Sequence, residues 1–152
     1  MILHDFKAFP RHGRIMAVDW GAARTGLAIS DEGREFVFVR PVIPSRDVDA
    51  ALRRIVDTAQ AENAVGIVMG LPLRGDGSES DTTTMVRAVA TQLAQMTDLP
   101  IYMLDETLTS YEAATRDNIH TRRAAREKLD SASARVLLEN AIAMLKRCRF
   151  GD

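Results

Sequence analysis

The chain has one cysteine, Cys148, among its 152 residues. A lone thiol cannot close an internal disulfide, so no covalent staple holds the fold. With three scattered histidines, His4, His12 and His120, it does not assemble a zinc site either. Long hydrophobic runs are missing: the purely apolar stretches are a few residues each, and a spanning helix needs about 20. The opening residues MILHDFKAFPRH carry Asp5, Lys7 and Arg11 and lack the apolar centre of a secretory leader. These absences predict a chain that neither crosses a membrane nor is exported, and that resides in a reducing cytoplasm. Low-complexity tracts, internal repeats and a linker are absent too, which argues against a multidomain reading. An excess of one charge sign is also lacking, because the net charge is −1.

What is present is close to the globular average: 46% hydrophobic and 27% charged residues. The length predicts one domain over 1–152, with 1–13 and 148–152 as mobile ends. The near-zero charge hides a strong segregation. Residues 1–30 are net +2, residues 31–115 net −7 and residues 116–152 net +4. The basic tail of this distribution includes Arg116, Arg122, Arg123, Arg126 and Lys128. Such a patch fits either a phosphate backbone or an ordinary solvated helix face.

Apolar patterning predicts three closely spaced strands at Arg14–Asp19, Gly26–Ser30 and Glu35–Arg40. Loops this short imply an antiparallel meander. Pro44 and Ser45 then open a helix, with Ser45 as its N-cap, whose apolar positions are Val48, Leu52, Ile55, Val56 and Ala59. A buried-type strand follows at Ala64–Leu71, then a second helix marked by Met85, Val89, Leu93 and Met96, then a strand at Pro100–Asp105. Thr109–Glu112 reads as a capping box for a third helix. Residues 117–127 read as a basic loop or broken helix, and a long helix runs from about Leu129 to Arg147. Strand–helix–strand connections are almost always right-handed parallel crossovers. The order βββαβαβαα therefore predicts a mixed five-stranded α/β sheet with helices on both faces, and the first strand central beside the fourth.

Three acids stand out. Asp19 ends an apolar strand just before Gly21, where open α/β sheets build their sites; it suits a metal ligand, a general base or a turn cap. Asp105 and Glu106 end the last strand and leave it on opposite faces, so at most one faces the same site as Asp19. Glu106 is favoured, since Asp105 is well suited to the turn. Asp130 shares a helical stripe with Ala134, Leu137, Ala141 and Met144. A carboxylate on such a face is costly unless paired or bound to a cation; the alternative is a helix N-cap. Three converging carboxylates supply hard oxygen donors for Mg²⁺ or Mn²⁺. A pair of such ions can activate water and stabilise the leaving oxygen of a phosphodiester.

Four stretches, in order, resemble the YqgF/RuvX family of RuvC-related, RNase H-like nucleases. They are IMAVDWGAARTGLAISD at 15–31, VMGLPLRGDGSES at 68–80, YMLDETLTSYEA at 102–113 and KLDSASARVLLENAI at 128–142. The resemblance implies an RNase H-like fold and metal-dependent phosphodiester cleavage, on the 5′ end of pre-16S rRNA or on branched DNA. It implies Asp19, Glu106 and Asp130 as catalytic and metal-binding acids, with two ions that can be absent without substrate. It matches Arg24 to a basic position after the first motif, and Gly70, Pro72 and Gly77 to a glycine-rich loop. Thr107 stands where the family pattern has arginine, so that contact would pass to Arg74 or Arg116. Charge complementarity adds Arg24, Arg74, Arg122, Arg123 and Arg126 as a nucleic-acid-binding rim. Ribosomal precursor particles are an expected partner, and the chain is expected to act as a monomer or homodimer. Two other readings share the topology. One is a non-catalytic rRNA-binding or assembly factor, which metal binding would separate. The other is a phosphotransferase of the actin and sugar-kinase superfamily, which normally needs a second such domain.

Overall fold

The computed structural model describes the backbone of residues 1–106 and 122–150, and side chains for 1–106 and 132–148. The described residues form six strands: β1 (Ile2–Leu3), β2 (Arg14–Asp19), β3 (Arg24–Ser30), β4 (Val37–Pro44), β5 (Ala64–Pro72) and β6 (Ile101–Glu106). The helices are α1 (Val48–Ala61), α2 (Asp81–Met96) and α3 (Arg122–Phe150). The sheet order is β1-β6-β5-β2-β3-β4. β1, β6, β5 and β2 run parallel, and β2, β3 and β4 form the expected antiparallel meander. β2 is central and lies beside β5, as the sequence predicted.

Residues along β2 alternate between two cores, as the period of a strand requires. Met16 and Val18 pack with Leu52, Ile55, Val89 and Leu93 of α1 and α2. Ile15 and Ala17 pack with Ala134, Leu137, Leu138 and Ala141 of α3. Helices thus cover both faces of the sheet. The predicted stripe on α3 is the buried one: Ala134, Leu137 and Ala141 are fully enclosed, and Met144 packs against them.

The sheet has six strands rather than five because the lead-in contributes one. Ile2 and Leu3 pair parallel with Ile101 and Tyr102. Phe6 and Phe9, three apart on a single 3-10 turn (Phe6–Ala8), are both buried on the α3 face. Phe6 stacks on Tyr102 at 4.3 Å between centroids. Phe9 fills the space over Gly66, where a Cβ would meet the ring at 2.5 Å. The buried Arg34 guanidinium ties the lead-in to the β3–β4 turn, donating to the Pro10 and Gly13 carbonyls at 2.7 and 2.8 Å.

Other boundaries also move. The third meander strand runs on to Pro44, because an edge strand tolerates Pro41 and Pro44 on its unpaired side. α1 therefore starts at Val48, capped by the Asp47 carboxylate accepting from the Ala50 N–H at 3.2 Å, and not by Ser45. α2 opens with a Ser80–Thr83 capping box. α3 begins at Arg122 rather than near Leu129, so the basic residues 122–127 are helical and not a loop. Arg, Ala, Glu and Lys dominate this stretch and are good helix formers. α3 also runs to Phe150, through the start of the expected mobile C-terminal end. The capping box predicted at 109–112, with Thr107, Arg116 and residues 117–121, lies outside the described residues.

Candidate active site

The carboxyl ends of β2, β5 and β6 lie side by side. Val18 pairs with Met69, Gly70 with Leu104, and Pro72 with Glu106. Asp19 and Glu106 are therefore the last residues of two parallel strands separated by one. Parity sends both to the α3 side: Asp19 follows Ala17, and Glu106 follows Leu104, both in the core beneath α3. Asp105 falls on the other parity and is exposed.

Gly70, on the strand between, makes room for the glutamate. A Cβ there would lie 2.7 Å from Glu106 Oε2, and 3.4 Å from Leu137 Cδ2 of α3. The missing side chain is thus occupied by the carboxylate itself. The sequence signal for this was a glycine inside a strand pattern, which marks close approach. The resemblance matches Gly70 to a glycine-rich loop; in the structure it lies within β5 and its neighbour is the acid.

Burial pushes the Glu106 carboxyl up from 4.5 to about 7, and the negative charge of Asp19 adds to the shift. Two carboxylates that repel in a half-buried site form a hard-donor pair that a divalent cation would neutralise. No set of three ligating side chains is formed among the described residues. Asp130 lies on α3, four and seven positions before the buried Ala134 and Leu137. Its side chain lies outside the described ones, as do those of Arg122, Arg123 and Arg126.

The turn after Asp19 is fixed from two directions. The Gly21 N–H donates to Thr25 Oγ1 at 3.3 Å, and the Ser45 hydroxyl donates to the Gly21 carbonyl. A Cβ on Gly21 would lie 2.2 Å from the Arg24 carbonyl oxygen, so the turn has room only for glycine. Sequence reasoning assigned Ser45 the role of a helix cap and missed this brace, since a contact across 24 residues leaves no local pattern. Arg24 opens β3 beside this turn. Arg74 is exposed on the loop leaving β5, which begins with the Leu73 N–H donating to the Glu106 carbonyl at 3.0 Å. Hydrogen bonds from Ser78 hold the Asp76 carboxyl below its usual range, and the charge of Arg74 adds to the effect.

A family model for RuvX, the Holliday junction resolvase, matches residues 13–144. The chain belongs to the RuvX family. It is thereby a member of a nuclease family, whose reaction is hydrolysis of phosphodiester bonds. A relative from Maridesulfovibrio salexigens is 35% identical over 134 residues, 86% of this chain and 98% of the relative. One from Rhodopirellula baltica is 34% identical over 146 residues, 93% and 82% of the two chains. Both bear the name "Putative pre-16S rRNA nuclease". The solved structure of Thermus thermophilus RuvC with a Holliday junction superposes with a TM-score of 0.56 at 10% identity, over 92% of this chain and 97% of that one. This last likeness establishes the RuvC-type, RNase H-like fold of the RuvX chain. Nucleases of this kind use divalent metal ions. No described helix is long and apolar enough to cross a membrane.

Proposed function

We propose that this RuvX protein is an endonuclease of the cytoplasm that matures the 5′ end of pre-16S rRNA, with Asp19, Glu106 and Asp130 as its acids. The observation that carries the reading is the placement of Asp19 and Glu106 at the ends of β2 and β6, on either side of Gly70 in β5. The names of the relatives supply the substrate. Mg²⁺ or Mn²⁺, two ions with substrate present, would be held by the three acids. Bound there, the ions would supply a nucleophile at neutral pH and stabilise the leaving oxygen. The protein's own part is to hold the acids. Gly70 admits Glu106, and the Gly21 turn, braced by Ser45 and Thr25, ends the strand that carries Asp19. Arg24, Arg74, Arg122, Arg123 and Arg126 contact the phosphate backbone, and ribosomal precursor particles are the physiological context.

The test incubates end-labelled pre-16S rRNA and a synthetic four-way junction with the protein in Mn²⁺ or EDTA, beside Asp19→Asn. The reading requires metal-dependent trimming of the rRNA that the variant loses. Cleavage of the junction alone would make the chain a resolvase. Cleavage of neither would leave a non-catalytic nucleic-acid-binding factor.

A further inference from the structure

Beside the Asp19 turn lies a hollow of about 660 Å³ whose walls include Arg24, Pro44, Arg46, Asp47 and Arg54. It is built where the end of β4 enters α1, so Arg46 comes from the connection and Arg54 from the second turn of the helix. Its lining carries three arginines and one carboxylate. That carboxylate, Asp47, is committed to the N-terminus of α1 through the Ala50 N–H. Arg46, Arg54 and Asp47 thus make a net positive spot in a stretch of chain, residues 31–115, that is net −7 overall, and Arg24 adds to it from β3.

Its position is tied to the acids. Ser45, next to Arg46, donates its hydroxyl to the Gly21 carbonyl, and Gly21 is two residues past Asp19. At about 3.8 Å per Cα step, this path places the Arg46 backbone no more than about 20 Å from that of Asp19. At roughly 3.4 Å per nucleotide along a duplex strand, that is at most about six nucleotide steps. Guanidinium groups present paired donors that match phosphate oxygens. The rim expected from sequence shares Arg24 with this wall but includes neither Arg46 nor Arg54.

We propose that Arg46 and Arg54 form a second phosphate-binding wall, holding the backbone of the nucleic-acid strand a few nucleotides from the bond that is cut. The proposal rests on the nuclease reading. It assigns the two arginines to positioning, through phosphates that do not react. Arg53 is the internal control: it has the same charge on the same helix, is exposed, and is not part of the hollow.

The experiment compares Arg46→Ala/Arg54→Ala with Arg53→Ala in two assays. Binding of a pre-16S rRNA fragment is followed by fluorescence anisotropy against salt, in an Asp19→Asn background that separates binding from cleavage. Turnover is followed in the otherwise native protein with Mn²⁺. The double variant is expected to bind at least tenfold more weakly and to lose between one and two from the salt slope, since each phosphate contact contributes roughly 0.7–0.9 to it. KM should rise with kcat nearly unchanged, and Arg53→Ala should change affinity less than threefold. Equal effects from the Arg53 variant and the double variant would overturn the placement, as would an unchanged slope in a folded double variant. Failure of the nuclease reading shows separately, as absence of turnover in the native protein while the binding assay still reports the wall.

Discussion

Replacing Glu106 by Gln should make the metal-free protein more stable while abolishing its activity. The carboxyl is pushed up from 4.5 to about 7, mainly by burial and then by Asp19. The folded protein therefore holds this proton more tightly than the unfolded chain does. Linkage fixes the sign: the stability the group contributes is full below pH 4.5 and is lost as the pH rises through about 7. Keeping Glu106 ionised in the fold costs about 3 kcal/mol above that range. Gln fills nearly the same volume with no charge to bury. At pH 8 in EDTA the Glu106→Gln variant should exceed the native protein by about 2–3 kcal/mol, and at pH 4 the two should coincide.

Urea melts measure this directly. With a slope of about 2 kcal/mol per M for a chain of this size, the pH 8 midpoints should differ by about 1–1.5 M. Mn²⁺ should then raise the native midpoint and leave that of the variant nearly unmoved, because ligand bound only to the folded state stabilises it by mass action. Parallel pH dependences of the two proteins in EDTA would refute the reasoning. So would a variant that stays less stable at pH 8. The second cause can be isolated as well. Asp19→Asn should move the native transition toward lower pH without abolishing it, whereas Glu106→Gln should abolish it, since burial is the larger cause.

Further outcomes follow from the same geometry. Gly70→Ala should cost about 1–3 kcal/mol and reduce cleavage at least tenfold, because its methyl would lie 2.7 Å from Glu106 Oε2; melts and single-turnover rates check both. Asp130→Asn should retain the fold by circular dichroism yet lose stabilisation by Mn²⁺; full retention of that stabilisation would remove Asp130 from the site. Replacing Arg122, Arg123 and Arg126 together by Ala should weaken RNA binding across sequences and flatten its salt dependence; an unchanged slope would make this stretch a plain solvated face. Phe9→Ala should destabilise by about 3–5 kcal/mol, the usual loss for a buried ring, since Phe9 is 2% exposed and closes the core over Gly66; a change under about 1 kcal/mol in a urea melt would show the lead-in to be dispensable.

The contrast between what sequence could and could not reveal follows the range of the interactions. The central strands were legible because IMAV and AVGIVMGL are apolar on both faces, and only a strand covered by helices on each side needs that. The α3 stripe was legible because its period is local. β1 was not: two residues, Ile2 and Leu3, have no period to read, and their strand exists only because β6 offers an edge. The cap of α1 slipped by two residues because Ser45 had two uses. Its local use as a cap lost to a distant one, the Gly21 carbonyl, and Asp47 took the cap.

The acids show the same division more sharply. Strand-end position alone nominated Asp19 and Glu106, and strand parity separated Glu106 from Asp105. Neither feature reveals the room that the Glu106 carboxylate has between the strands. That depends on Gly70, one strand over from each, where any side chain would exclude the Glu106 carboxylate. The glycine lies 51 residues from Asp19 and 36 from Glu106 in sequence, so no spacing rule links it to either. It is visible only once β5 is placed between β2 and β6. The shift of Glu106 to about 7 is the energetic trace of that arrangement. A pair of acids that repel, one of them resisting ionisation, is stable as a folded site only at some cost. A bound cation would offset that cost, which is why the stability of the Gln variant and its response to Mn²⁺ must move in opposite directions if the pair is there to bind metal.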